Sequence, residues 1–170
     1  MDDQIEKSRR KIKILIRFFI IGLILSGITA FPLEWELSML NNLMVKYFGI
    51  DNPLHNWIQK VYHALKATNN QYPFLAYGTD WLAFAHIVIA IAFIGPLRDP
   101  VKNIWIIEFG MIACVLIIPL ALIAGEIRQI PVYWRIIDCC FGAIGIIPLL
   151  ICHREIKKLE NYQNLKTLPQ

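Results

Sequence analysis

Charge is what this sequence is short of. Asp, Glu, Lys and Arg supply 18% of its 170 residues, against about a quarter in an ordinary soluble domain, while 56% are hydrophobic. The shortage is also uneven. Uncharged runs approach the roughly 20 residues that a helix needs to cross hydrocarbon, which excludes a soluble globule assembled from short amphipathic pieces. Cysteine is sparse and badly spaced for chemistry: Cys114, Cys139, Cys140 and Cys152 fall in or beside apolar runs, with no C-x-x-C among them. That excludes a disulfide framework and a paired-thiol redox centre. No nucleotide-binding motif occurs, nor any His-x-x-x-His or Glu-x-x-His spacing, so no metal site is expected. A bis-histidine haem would need a partner for His86, and His55 and His63 fall on the more polar side of their helix, where solvated surface is the expectation. The sequence leaves the cofactor unknown.

Four runs remain as expected spans, at about 12–31, 81–97, 104–125 and 132–152. The first carries Lys13 and Arg17 on its opening turns, from which long basic side chains reach the head groups. Its apolar core is long for a cleaved signal peptide, and Gly27 to Pro32 is a poor cleavage site, so it reads as a retained anchor. The second is interrupted only by His86 and the third only by Glu108. The fourth contains Arg135 and Asp138 in its first two turns, and those charges need partners.

A net charge of +4 does not point to nucleic acid, because the basic residues cluster at Lys7 to Arg17 and Arg154 to Lys158, beside apolar runs. They read as topology. The amino-terminal stretch, the turn at Arg98 to Asn103 and the tail from His153 hold twelve Lys and Arg, while the opposite loops hold four. The positive-inside rule then predicts both termini in the cytoplasm, with a bacterial inner membrane as the expected location.

The 32–80 loop is too long for a plain connection. Leu33, Leu37, Leu40, Met44 and Phe48 recur at helical spacing, and Leu54, Trp57, Ile58, Val61, Tyr62 and Leu65 do so again after Asn52-Pro53, an N-cap followed by proline at the first helical position. Two short amphipathic helices on the extracytoplasmic surface are predicted.

Depth sorts the intramembrane ionisable groups into two sets. His86 and Asp138 each lie four or five residues inside the same expected interface, or roughly 6–7 Å at 1.5 Å per residue. Arg135 is one turn from Asp138, and Gly142 and Gly145 continue that face inward. Thr79, Ala83, His86 and Ala90 form a similar small-residue stripe, so the two stripes are expected to face each other. With Glu126 and Asp80 at the rim, this predicts an outward polar pocket. Three roles compete for it. Arg135 and Asp138 form a self-neutralising pair with His86 bonding across the bundle; or Arg135 binds an anionic substrate group while His86 and Asp138 exchange a proton; or His86 is a general base oriented by Asp138. At the opposite depth, Glu108 is expected to pair with Arg17, because pairing is how buried charge becomes tolerable. Gly22 and Ser26, four apart on the first span, predict contact with another helix, within the bundle or in a partner or second copy.

The four-span outline is similar to that of small bacterial quinone-reducing thiol proteins, but their paired Cys-x-x-Cys is absent. With the small DoxX-like bundles only the number of spans agrees. Neither resemblance assigns a family. The expectation is a single all-α membrane domain, a four-helix transmembrane bundle with two amphipathic helices in its first extracytoplasmic loop. Its expected role is a non-catalytic subunit or accessory component of a larger membrane assembly. The alternative is a membrane-embedded enzyme or carrier acting on a lipid or anionic solute at the His86, Asp138 and Arg135 pocket.

Overall fold

The computed structural model describes residues 2–48 and 52–167, with side chains from 4 to 47 and 52 to 164. The elements run α1 (Asp2–Ala30), α2 (Leu33–Phe48), α3 (Pro53–Gln71), a 3-10 turn (Pro73–Ala76), α4 (Tyr77–Ala92), α5 (Ile94–Arg98), α6 (Ile104–Ile127) and α7 (Val132–Thr167). The chain is an all-α membrane bundle, with no strand among the described residues. Four stretches, Gln4–Ala30, Pro73–Arg98, Ile104–Ile127 and Val132–Asn164, are long and apolar enough to cross a membrane. Between 17% and 22% of each apolar window is buried within the protein, so most of its surface is left for lipid or another apolar partner.

Helix boundaries follow backbone chemistry. α1 stops before Pro32, which lacks an N–H and disfavours helical backbone at Phe31. The expected 81–97 run divides at Phe93 into α4 and α5, because Pro96 cannot donate to the Ala92 carbonyl and its ring crowds that group. The Asn52 side chain accepts from the Leu54 N–H at 2.9 Å, with Pro53 at the first helical position, so the predicted N-cap starts α3. Both terminal helices overrun their expected ends. α1 begins ten residues before Ile12, and α7 continues as helix through the expected tail to Thr167; residues 168–170 of that tail and the Phe48 side chain lie outside the described residues.

The chain forms two compact units, residues 1–21 with 90–170 and residues 22–89. In the first, Ser8, Ile12, Ile16 and Phe19 make one face of α1, and Leu149, Cys152, Ile156 and Leu159 one face of α7, at the three- and four-residue spacing of a packed helix. Ile156 and Leu159, 0% and 1% exposed, lie beyond the apolar span, where water is the alternative environment; burying each contributes about 2 kcal/mol. That gain lets the terminal extensions fold as helix. Phe93 is fully buried, with its ring 4.8 Å from Phe19 and its edge against Gly110 of α6.

The α6–α7 hairpin is the tightest part of this unit. A Cβ on Gly142 would collide with the Cys114 carbonyl oxygen, so only glycine allows the two backbones to approach this closely. The glycine face of α7 therefore meets α6. Gln129 closes the hairpin turn at φ +56°, in the left-handed region. The Ile130 N–H bonds the Gly125 carbonyl at 2.8 Å and the Gln129 N–H bonds the Glu126 carbonyl at 3.0 Å, the double closure of a Schellman motif.

In the second unit, α2 and α3 bury Leu37, Met44 and Ile58, and the Asn69 amide donates to the Glu34 carboxylate at 2.9 Å. His55 is 3% exposed, which corrects its expected solvated position, while His63 is exposed. The small-residue stripe of α4 meets α1 at Gly27, whose missing Cβ would lie 2.9 Å from the Ala83 carbonyl oxygen. Gly22 has no atom of the described residues within 4 Å of its Cβ position. The local packing puts the small face one residue further along.

Two substitutions of opposite sign test the hairpin. Gly142→Ala is expected to destabilise the detergent-solubilised protein by about 1–3 kcal/mol, because the obstacle is backbone. Gln129→Gly should stabilise it by about 1 kcal/mol by removing the left-handed penalty of a side-chain-bearing residue. Thermal or denaturant unfolding reads both.

Candidate functional site

The hairpin carries four of the residues singled out by the sequence, and it pairs them differently from expectation. Arg135, its side chain 14% exposed, extends along Gly125, whose missing Cβ makes the necessary groove, and donates from Nη1 to Oε2 of Glu126. The guanidinium thus joins the two helices across the turn instead of pairing with Asp138 on its own helix. Its Nε is buried without a hydrogen-bond partner. At the far end of the same hairpin, His153 Nε2 lies 3.1 Å from Oε1 of Glu108. This corrects the expected Arg17–Glu108 pair, since Arg17 is exposed and makes no ion pair among the described residues.

Both hairpin pairs have one midpoint, the bond between Ile130 and Pro131. In an antiparallel hairpin the two helices rise equally, about 1.5 Å per residue, so side chains equidistant from the turn meet. That register is the signal by which sequence reasoning, given the tight turn, could have found both partners.

Asp138 makes no polar contact among the described residues and lines, with Arg128, Gly125 and Ile130, a cleft of about 300 Å³. His86 and Asp80 belong to the other unit. The His86 Nδ1 lies 2.8 Å from the Leu82 carbonyl oxygen, one turn back on its own helix. Asp80 lines an aromatic cleft with Phe31, Tyr77, Trp81 and Phe84. Of the residues of the expected pocket, Asp138, Arg135 and Glu126 belong to the first unit and His86 and Asp80 to the second. All four cysteines are free, and no group of three His, Cys, Asp or Glu able to hold a metal occurs among the described residues.

Glu155, which the sequence reading passed over, is the best-connected carboxylate of the molecule's described part. It is 8% exposed and accepts from Ser8 Oγ at 2.9 Å, Lys11 Nζ at 3.1 Å and Lys158 Nζ at 3.2 Å, tying α1 to α7. It lies beyond the apolar run that ends near Cys152. Burial pushes its carboxyl up, but the bonds from Lys11, Ser8 and Lys158 outweigh that and hold it below the ordinary value of 4.5. A carboxyl that binds its proton less tightly folded than unfolded contributes stability that is complete above the unfolded value and is lost as pH falls through the folded one.

Two measurements check these assignments. In a double-mutant cycle of Glu108→Gln and His153→Gln, a coupling of about 0.5–1.5 kcal/mol is expected, with Arg17→Gln within about 0.5 kcal/mol of wild type. Glu155→Gln should cost about 2 kcal/mol at pH 7, and the decline in wild-type melting temperature below about pH 4.5 should be shallower in the variant.

No protein-family model, curated protein or solved structure matches this chain.

Proposed function

We propose that this chain is a non-catalytic component of a larger membrane assembly, with both termini on the cytoplasmic side. The observation that carries the reading is the use made of ionisable groups on the hairpin. Arg135 with Glu126 and Glu108 with His153 are spent on fastening α6 to α7, as groups with a structural role would be. The vacant surface at Gly22 and Ser26 supports it, since small residues four apart suit the close approach of a helix from another chain. The charge asymmetry of the sequence supports the orientation.

A second reading, an enzyme or carrier for a lipid or anionic solute, draws on one observation. Asp138 has no polar partner among the described residues and lines an open cleft beside Arg128, with Arg135 close by in sequence as an anion-binding group. His86 as proton acceptor and Asp80 and Glu126 at the rim belong to the same proposal.

Purification of the native protein in mild detergent, followed by mass spectrometry, tests the first reading. A stoichiometric partner lost on Gly22→Leu is expected; an isolated chain of 19.7 kDa with no companion overturns it. Asp138→Asn separates the two readings, because complementation of a deletion strain should survive it in an assembly role and fail in a lipid- or solute-handling one.

A further inference from the structure

The end of the first unit where α1 begins holds two basic clefts of different character. In one, of about 560 Å³, the cations are largely answered. Lys11 and Lys158 bond Glu155, and Lys157 bonds Glu160 at 3.0 Å. The other, of about 190 Å³, is enclosed by three separate elements. Arg9 and Lys13, one turn apart on α1, form one side; Arg98 and Asp99 at the end of α5 form another; Leu159 and Gln163 of α7 complete it. Asp99, the acidic side chain lining it, is already engaged, taking the Lys102 ammonium at 3.5 Å and the Lys102 backbone N–H at 3.2 Å. Arg9, Lys13 and Arg98 make no ion pair or hydrogen bond among the described residues. Three cations thus line one small cavity whose single carboxylate among the described residues, Asp99, is shared with Lys102.

From this geometry we infer that the cavity is a binding site for a phosphate ester, with the head group of an anionic phospholipid as its source. Positive-inside topology explains basic residues along this end of the chain, but it does not require three of them, from segments nearly ninety residues apart, to meet around one cavity. Like charges at the i,i+4 spacing of Arg9 and Lys13 repel, and the cost is removed when an anion lies between them. Two guanidinium forks and an ammonium match a phosphate, which accepts on several oxygens at once. The cavity is several times the roughly 30 Å³ that one water occupies in the liquid.

Depth identifies the source. Lys13 precedes the uncharged run from Phe18 by five residues, about 7 Å of helix, and Arg98 directly follows the run ending at Leu97. Both therefore fall in the head-group layer, roughly 5–8 Å thick on each side of the hydrocarbon. Basic pockets at that level between spanning helices are where anionic head groups bind.

The test uses the full-length protein in uncharged detergent, with phosphatidylglycerol, phosphatidylcholine, glycerol 3-phosphate and inorganic phosphate as probes and retained lipid in native mass spectrometry as readout. Wild type is expected to hold phosphatidylglycerol at least ten-fold more tightly than phosphatidylcholine. Arg9→Gln with Arg98→Gln should weaken it about 25-fold, at about five-fold per basic residue. Arg154→Gln with Lys157→Gln removes the same charge from the neighbouring cleft and should weaken it less than three-fold. Glycerol 3-phosphate or inorganic phosphate that binds with the same variant sensitivity while the lipid does not would assign the site to a soluble phosphate ester. Equal losses in both double variants, or no preference for any anion, would overturn the site. Lys13→Gln guards against misfolding as an explanation: without anion it should melt no lower than wild type, because it relieves repulsion, and a lower melting temperature would mark Lys13 as structural and sink the proposal.

Discussion

The approach of Gly142 to the Cys114 carbonyl brings the backbones of α6 and α7 together, and the polar contacts of that hairpin depend on this closeness. Within hydrocarbon, helix association gains nothing from excluding water, since lipid tails are as apolar as leucine. What remains is close packing and the satisfaction of polar groups. A glycine that lets two backbones touch supplies the first. The two polar pairs share a register of their own, in which equal rise from the turn brings Arg135 to Glu126 and His153 to Glu108. Gly125 completes the set by making room for the stem of Arg135 beside the turn.

The forces change along α7 as the solvent changes. Past Cys152 the helix leaves the apolar run, and there Ile156 and Leu159 are buried against water, by the ordinary hydrophobic effect. Glu155 sits among them, tied to Ser8 and Lys11 of α1 and to Lys158 of its own helix. A buried carboxylate with that many donors is tolerable where an isolated one would not be. The same helix is therefore fixed by backbone contact in one half and by burial around a satisfied charge in the other.

Features set by local chemistry were legible in the sequence. The four apolar runs, the Asn52 cap of α3 and the two amphipathic helices each depend on residues within a few turns of one another. Partner choice was not, because it depends on register between distant segments. Arg135 was matched to Asp138 on its own helix and Glu108 to Arg17, when each has its partner across the hairpin. His55 was placed in solvent by its helical face, yet it is buried beside the packed α2 and α3 helices. Glu155 looked like one charge in a basic tail, because nothing local shows that α1 begins early enough to bring Ser8 and Lys11 to it. The fold was thus read at the level of elements, while the polar architecture that joins them needed coordinates.

Charge pairing at this end of the first unit follows a division by residue type. Three acids there take lysines among the described residues: Asp99 takes Lys102, Glu155 takes Lys11 and Lys158, and Glu160 takes Lys157. Arg9, Arg10, Arg17, Arg98 and Arg154 take none of them among the described residues. An ammonium is a compact point charge suited to a single carboxylate oxygen, whereas a guanidinium is weakly hydrated, always charged and shaped for two oxygens together. Of these lysine bonds, that of Lys11 to Glu155 joins α1 to α7, while the others lie within α7 or the turn before α6.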